Sequence, residues 1–165
     1  MSFEIDQGEF MRTVSQTLGE TAFVFVEETE EAHLSWGADE ILEARISFHG
    51  PSDGVLALAA GEKFATELAA NLLGIDPDNA EAARGGRDAV GELANILLGV
   101  LLERWFPGDT TYGMDVPVVR SLGTGAYEKE AGGAKIRLAL VTDEGQRIDA
   151  MVLARGASVP ACSDD

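Results

Sequence analysis

Cysteine and histidine are almost absent from this chain. Its 165 residues include one cysteine, Cys162, and two histidines, His33 and His49. A single cysteine excludes a disulfide framework and a thiolate metal cluster, and neither histidine is spaced with a second metal ligand. The sequence also lacks a P-loop, a serine nucleophile elbow and a complete dinucleotide-binding glycine pattern. We therefore expect no covalent catalysis and no cofactor bound by this chain.

Basic residues are also scarce. The chain has 12 lysines and arginines against 29 acidic residues, a formal charge of -17. Such a surface repels the phosphates of nucleic acids and of anionic lipids, so we expect neither nucleic-acid binding nor membrane binding. A partner with a basic or metal-bearing face fits this charge better.

Long hydrophobic runs are missing as well. The longest, residues 93–102, is interrupted by Asn95 and ends at Glu103, well short of the roughly 20 residues of a membrane-spanning helix. The N-terminus has neither a basic start nor an apolar run, so we expect a cytoplasmic protein. With 45% hydrophobic residues the chain can form one proper core. We expect a single domain over residues 1–156 and a disordered tail over 157–165.

The order of predicted elements suggests two similar halves. Each half has a helix, then a strand, then a hairpin, although no residue-level repeat links them. In the first half these are residues 8–18, 21–26 and 41–60, with a polar loop or irregular strand at 27–40 and one buried hairpin face. Two helices follow, at 62–73 and 77–84, the second ended by Gly85 and Gly86. The second half has a helix from Asp88 to Trp105, a strand at 116–122, a flexible glycine-rich link to Gly133, and a hairpin at 135–153. The expected fold is therefore α+β, an antiparallel sheet covered by amphipathic helices.

One helix carries a narrow polar stripe, which we define as Asp88, Glu92, Asn95 and Gly99. At about 100° per residue, Glu92 lies roughly 40° from Asp88, and Asn95 lies roughly 20° to the other side. The opposite side is apolar and must be buried: Val90, Leu93, Ala94, Leu97, Val100 and Leu101. The polar stripe is therefore expected to face outward.

The polar stripe has three interpretations. Its members can be ordinary solvated residues, with Asp88 in a first helical turn that favours a carboxylate. Against this, Asp88 and Glu92 repel each other at i and i+4, asparagine is a mediocre helix former, and Gly99 costs roughly 1 kcal/mol relative to alanine. These conflicts favour a functional site. A metal site formed by Asp88 and Glu92 is the weakest interpretation, because two carboxylates leave most of a hard-cation shell unfilled.

The same residues match a known pattern. The spacing Asp88-x-x-x-Glu92-x-x-Asn95 on a long helix, followed by Pro117 at the start of a strand, resembles the chemotaxis phosphatases of the CheC, CheX and FliY group. The phrase Asp-Ala-Val-Gly-Glu-Leu-Ala-Asn-Ile-Leu-Leu-Gly is similar to the signature helix of CheX-like domains. The central stretch and the final hairpin are similar too, so the resemblance covers roughly residues 3 to 154.

The resemblance implies a CheC-like fold and a phosphatase that hydrolyses the phospho-aspartate of a CheY-like receiver. In that family the asparagine, here Asn95, places the attacking water, and the glutamate, here Glu92, pairs with a lysine of the receiver. Asp88 matches a supporting position. Mg²⁺ is then expected on the phosphorylated receiver and not on this chain.

The resemblance also carries expectations about assembly. Some relatives have a second copy of the motif on the first helix, but Arg12 stands where the amide would be, so we expect one site per chain. We also expect a homodimer joined through sheet edges or strands of the second half, with the link from Gly123 to Gly133 loose enough to let the last hairpin move. The alternative function is a non-catalytic module that binds a receiver or a flagellar switch component.

Overall fold

The protein folds around one antiparallel sheet. A computed structural model describes residues 4–29, 36 and 40–154. The tail at 155–165 and most of the polar stretch at 30–39 lie outside the described residues. The elements are α1 (Gln7–Ala22), β1 (Val26–Glu28), β2 (Ile41–His49), β3 (Gly54–Gly61), α2 (Glu62–Leu73), α3 (Ala80–Trp105), β4 (Gly113–Met114), β5 (Val118–Leu122), α4 (Thr124–Ala131), β6 (Ile136–Thr142) and β7 (Arg147–Leu153).

The sheet topology confirms the fold class and its two halves. The strand order is β1-β6-β7-β3-β2-β4, and β5 also pairs with β2. The hairpins β2–β3 and β6–β7 meet through β3 and β7, while β1 pairs with β6 and β5 pairs with β2. The single strand of each half therefore pairs with the hairpin of the other half. No helix in the described part is long and apolar enough to span a membrane.

One face of the sheet forms the main core with α1, α2 and α3. Strand alternation places an apolar side chain at every second residue of β2, β3 and β7 on this face. The fully buried strand residues include Ala44, Ile46, Leu56, Ile148 and Ala150, and the helices add Phe10, Val14, Leu93, Leu97 and Leu98. This core fixes the inner side of α3.

The other face of the sheet is buried too, so the prediction of a hairpin with one buried face is wrong. Glu43 is fully buried and accepts hydrogen bonds from Arg45 at 2.6 Å and from Arg120 at 2.8 Å. Asp149, also fully buried, accepts from Arg147 at 2.9 Å. Period-two alternation correctly predicts that Glu43 and Arg45 lie on the face opposite the apolar residues. This polar face is nevertheless buried, because its charged side chains pair with one another.

Helix α4 covers part of this second face. The prediction of a flexible link from Gly123 to Gly133 is wrong, because residues 124–131 form a helix that buries Tyr127 and Ala131. The Tyr127 hydroxyl donates to Asp149 at 2.7 Å, and its ring meets Trp36 edge-on with centroids 5.3 Å apart. Two buried anchors hold this short segment in place despite its glycines.

Helix α3 is also longer than predicted. It begins at Ala80, after the N-cap Asn79, and continues through Gly85 and Gly86 instead of ending there. The reason is close packing: a Cβ atom at Gly86 would lie 3.2 Å from the Cβ atom of Ala65 on α2. The two glycines allow the helices to approach and do not end either of them.

Helix α1 replaces the start of a predicted strand. The aromatic and β-branched run at 21–26 favours a strand, but α1 continues to Ala22, and β1 begins only at Val26. Phe23 takes the left-handed C-cap conformation that ends the helix. Burial of Leu18 and Ala22 against the core outweighs the strand preference of this short run.

We expect Tyr127→Phe to lower the free energy of unfolding by about 1–3 kcal/mol, because buried Asp149 loses a donor. Burial, and then the neighbouring Asp149 carboxylate, raise the pKa of Tyr127 above its usual range. The contribution of the Tyr127 hydroxyl to stability is therefore complete below about pH 10. It is lost as pH rises further, since the tyrosine then ionises in the unfolded state and stays protonated in the folded state.

Urea unfolding between pH 8 and pH 11 tests this prediction. Wild type should lose stability above pH 10 more steeply than Tyr127→Phe. Tyr112→Phe is the matched control, because Tyr112 is half-buried and its hydroxyl has no hydrogen-bond partner among the described residues. Equal stability of the two variants would contradict the assigned role of the Tyr127 hydroxyl.

Candidate functional site

The polar stripe lies on the outer side of α3, as predicted. Asp88 and Glu92 are exposed and Asn95 is half-buried, whereas Val90 and Leu97 on the opposite side are fully buried. Because α3 begins at Ala80, Asp88 lies about two turns inside the helix. The helix dipole acts mainly on the first turn, so it does not explain an acid at this position.

The polar side chains of the stripe are unpaired within the described part of the protein. Asp88, Glu92 and Asn95 form no hydrogen bond or ion pair with any described residue. Their donors and acceptors are therefore available to a water molecule or to a partner. The side chains contribute little to the fold that holds them.

Strand β5 lies directly beside the stripe. Gly91 is buried there, and a Cβ atom at this glycine would lie 3.2 Å from Val119 Cγ2 and 3.8 Å from Pro117 Cβ. Arg87 fastens the contact, because its guanidinium donates to the Val119 carbonyl at 2.8 Å and to the Ser121 hydroxyl at 3.2 Å. Gly91 and Arg87 thus fix Pro117 next to the stripe.

Gly99 leaves the C-terminal end of the stripe open. A Cβ atom at this position would meet no heavy atom within 4 Å. The close approach that explains Gly86 and Gly91 is therefore absent at Gly99 in the described structure. An open glycine in a helix is instead a place where the surface of another molecule can come close.

The stripe continues into a basic residue that was not predicted from the sequence. Arg84 is exposed and lies four residues before Asp88, so it extends the stripe by one turn. The sequence predicts a helix break at Gly85 and Gly86, which would place Arg84 on a different helix from the stripe. Arg84 and Arg87 both line an open groove with Glu62 of α2. The signal that would have found Arg84 is the continuous helical register through the two glycines.

Two valines near the stripe are exposed. Val116 and Val118, on either side of Pro117, are 81% and 55% exposed. Apolar side chains beside a polar stripe are typical of a surface that binds another protein.

The arrangement is suited to completing a site on another molecule. No group of three or more histidine, cysteine or acidic side chains within the described ranges is arranged to hold a metal ion. The stripe offers an amide, which can both donate to and accept from one water, and carboxylates, which can pair with a cation. A nucleophile other than water, or a metal, would have to come with the partner.

We expect Gly99→Ala to stabilise the protein by about 0.5–1 kcal/mol, because alanine favours the helix and meets no neighbour here. Gly86→Ala is the contrasting change, since its Cβ atom would press on Ala65. Thermal or urea unfolding measures both variants. A Gly99→Ala protein less stable than wild type would contradict the open space assigned to this glycine.

Solved structures of chemotaxis proteins share this fold. The CheX–CheY–BeF3–Mg²⁺ complex from Borrelia burgdorferi matches with a TM-score of 0.65 and 16% identity, covering 92% of this chain and 99% of that one. A CheX from Vibrio vulnificus matches with a TM-score of 0.60 and 19% identity, covering 92% and 97%. A CheX from Desulfovibrio desulfuricans gives 0.63 and 14%, covering 89% and 97%. At these identities the similarity establishes the fold.

The sequence itself identifies the family. No curated protein sequence matches the chain significantly. The family model described as chemotaxis phosphatase CheX matches residues 42–140, more than half of the chain. The matched range contains the whole polar stripe, Pro117 and most of the sheet. The chain therefore belongs to the chemotaxis phosphatase CheX family.

Proposed function

We propose that this protein hydrolyses the phospho-aspartate of a CheY-like receiver, with Glu92 and Asn95 as the site residues and Asp88 in a supporting role. The observation that carries the proposal is the unpaired polar stripe on a helix whose other side is fixed in the core. Membership of a chemotaxis phosphatase family supports the reaction class. The proposal includes a cytoplasmic location.

Asn95 is the residue that we assign to the attacking water. In the reaction the water oxygen forms a bond to phosphorus, and the bond between phosphorus and the aspartyl oxygen breaks. The electron pair of that bond leaves on the receiver carboxylate, and both protons of the water leave with inorganic phosphate as dihydrogen phosphate. An acyl phosphate is already activated, so holding the water in line is the main missing contribution. A neutral amide can hold it through its carbonyl and its NH₂ group.

Glu92 and Asp88 serve docking in this proposal. Glu92 is exposed and unpaired, so its carboxylate can form an ion pair with a lysine of the receiver. Asp88, one turn away, adds negative potential on the same side. Arg84 lies one further turn along and can face an acidic group of the same partner. A helix surface that carries charges of both signs fixes the register of a partner more than it adds affinity.

The receiver supplies the metal in this proposal. One structural relative is a complex that contains CheX, CheY, BeF3 and Mg²⁺, which supports both a CheY-like partner and Mg²⁺ in the assembly. Mg²⁺ prefers several oxygen ligands in octahedral geometry, and two carboxylates on one helix do not provide them. Mg²⁺ held by the phosphorylated receiver neutralises the charge that develops on the phosphoryl oxygens.

We expect Asn95→Ala to lower the rate of phosphate release by about 100-fold, because the water is no longer positioned. Its free energy of unfolding should stay within ~0.5 kcal/mol of wild type, since the half-buried side chain forms no hydrogen bond with a described residue. Glu92→Ala should weaken binding about tenfold and also slow turnover, because an ion pair to the receiver is lost. The assay follows decay of a phosphorylated CheY-like receiver with Mg²⁺ and substoichiometric protein.

Each outcome of this assay decides between interpretations. Several phosphates released per protein molecule support an enzyme, whereas binding without faster release supports the non-catalytic module. An unchanged rate for Asn95→Ala contradicts the assignment of the water to this residue. Gly99→Tyr is a useful companion variant, because a large side chain in this open position should block docking without reaching the core.

We also propose that the protein is a homodimer joined through the part of β6, in the second half, that β1 does not cover. In the described part, β1 and Thr29 cover only residues 139–142 of β6, and the polar stripe lies on α3 beside β5, at the opposite end of the strand order. Pairing at β6 would leave both stripes open. The looseness expected of the 123–133 link does not support this, because α4 occupies most of it.

The dimer is tested by light scattering in about 0.15 M salt, where charges farther apart than about 8 Å are largely screened. We expect twice the chain mass of 17.5 kDa. Two chains of -17 repel each other, so the dimer should weaken at low salt. A mass of one chain across micromolar concentrations would contradict the dimer and leave the catalytic assignment intact.

A further inference from the structure

Two phenylalanine rings are exposed at the end of α1, away from the polar stripe. Phe23 is 74% exposed and Phe25 is 63% exposed, whereas Val24 between them is buried. Both rings therefore project into solvent on either side of the buried valine. The Phe25 ring lies over α1, because a Cβ atom at Gly19 would be 3.8 Å from it. We call Phe23, Phe25 and the pocket beside them the aromatic patch.

Phe23 is held in a conformation that its residue type disfavours. It has φ 55° and ψ 33°, the left-handed region, at the C-cap of α1. This position is usually glycine, because a side chain there crowds the following carbonyl oxygen. Gly74 takes the same role at the end of α2. Since the Phe23 ring is in solvent, its burial does not offset this strain.

The pocket beside Phe23 is apolar at its base and acidic at its rim. It has a volume of about 80 Å³, enough for part of one aliphatic side chain. Phe64 and Leu68 form the base, and the acidic residues at the rim are Glu67, Asp143 and Glu144. No lysine or arginine lines it within the described ranges.

Two helix ends add to the negative potential here. The C-termini of α1 and α2 meet, because the Asn71 side chain amide donates to the Ala22 carbonyl at 3.5 Å. Neither helix has a basic residue in its last turn. Helix C-termini carry partial negative charge that favours a nearby cation, so this surface attracts basic groups.

We propose that the aromatic patch docks a cationic amphipathic segment of a partner protein. An aliphatic side chain enters the pocket against Phe23, while lysine or arginine groups beside it face Glu67, Asp143 and Glu144. Exposed aromatic side chains are frequent anchors of protein interfaces. A second copy of this chain fits poorly, because it would place one acidic rim against another. This inference does not depend on the proposed phosphatase function.

The test uses a fluorescent peptide of leucine and lysine in an amphipathic helical pattern, with a leucine–glutamate peptide as the charge control. We expect saturable one-to-one binding of the first peptide only, with NMR shift changes centred on Phe23, Phe25 and Asn71. Phe23→Gly should weaken binding at least about tenfold and leave the melting temperature equal or higher by about 2–4 °C. This combination separates a docking role from a structural role.

Charge-matched variants test the rim. Glu144→Lys and Asp109→Lys change the net charge equally, and Asp109 follows the C-terminus of α3, outside the pocket lining. Glu144→Lys should weaken peptide binding, and Asp109→Lys should not. All three variants should retain whatever receiver phosphatase activity wild type has, so failure of the two proposals can be told apart.

Two results would overturn this docking proposal. The first is unchanged peptide binding by Phe23→Gly, or NMR shifts centred elsewhere. The second is concentration-dependent self-association that Phe23→Gly abolishes, because it would assign the aromatic patch to a second copy of the chain.

Discussion

The close contact between α2 and α3 is the constraint on which the candidate site depends. A Cβ atom at Gly86 would lie 3.2 Å from Ala65, and one at Gly85 would lie 3.4 Å from Ala69. Two glycines inside a helix cost roughly 0.5–1 kcal/mol each relative to alanine, and the packing they allow offsets this cost. The result is one continuous helix of 26 residues with its inner side in the core. The polar stripe can therefore stay rigid without contacts of its own.

The two faces of the sheet bury different kinds of side chain, and this difference determines how many basic residues remain on the surface. The helix side buries apolar residues, whereas the other side buries carboxylates with four arginines: Arg45, Arg120, Arg137 and Arg147. Burial alone would lower the pKa of Arg137, but hydrogen bonds to Glu128 and Asp149 outweigh it and raise that pKa. These arginines are a third of the 12 basic residues. Few cations remain for the surface, so Arg84 on the stripe and the acidic rim beside Phe23 stand out.

The sequence was sufficient where one physical signal dominated. Period-two alternation located β2 and its hairpin, helical spacing located α2, and the stripe was placed on the correct side of α3. Local signals failed where tertiary packing decided. Gly85 and Gly86 predict a helix end, because the sequence alone does not show that Ala65 of α2 packs against Gly86. Residues 124–131 read as a loose link because the partners of Tyr127 are distant in sequence. Burial of Glu43 needed Arg120, 77 residues away.

Departures from local preference fall into two groups in this protein: those that a neighbouring atom explains and those that no described neighbour explains. Gly86 and Gly91 are unfavourable in a helix, but each has a neighbour so close that a side chain at the glycine would crowd it. Gly99 and Phe23 are also locally unfavourable, yet a Cβ atom at Gly99 would meet no described heavy atom within 4 Å, and Phe23 places its ring largely in solvent. An unfavourable residue with a compensating contact is explained by the fold. One without such a contact is not explained by the described fold, and natural proteins concentrate such exceptions at functional sites. On this argument the polar stripe and the aromatic patch are two separate surfaces, the first suited to a charged protein active site and the second to a basic, apolar segment.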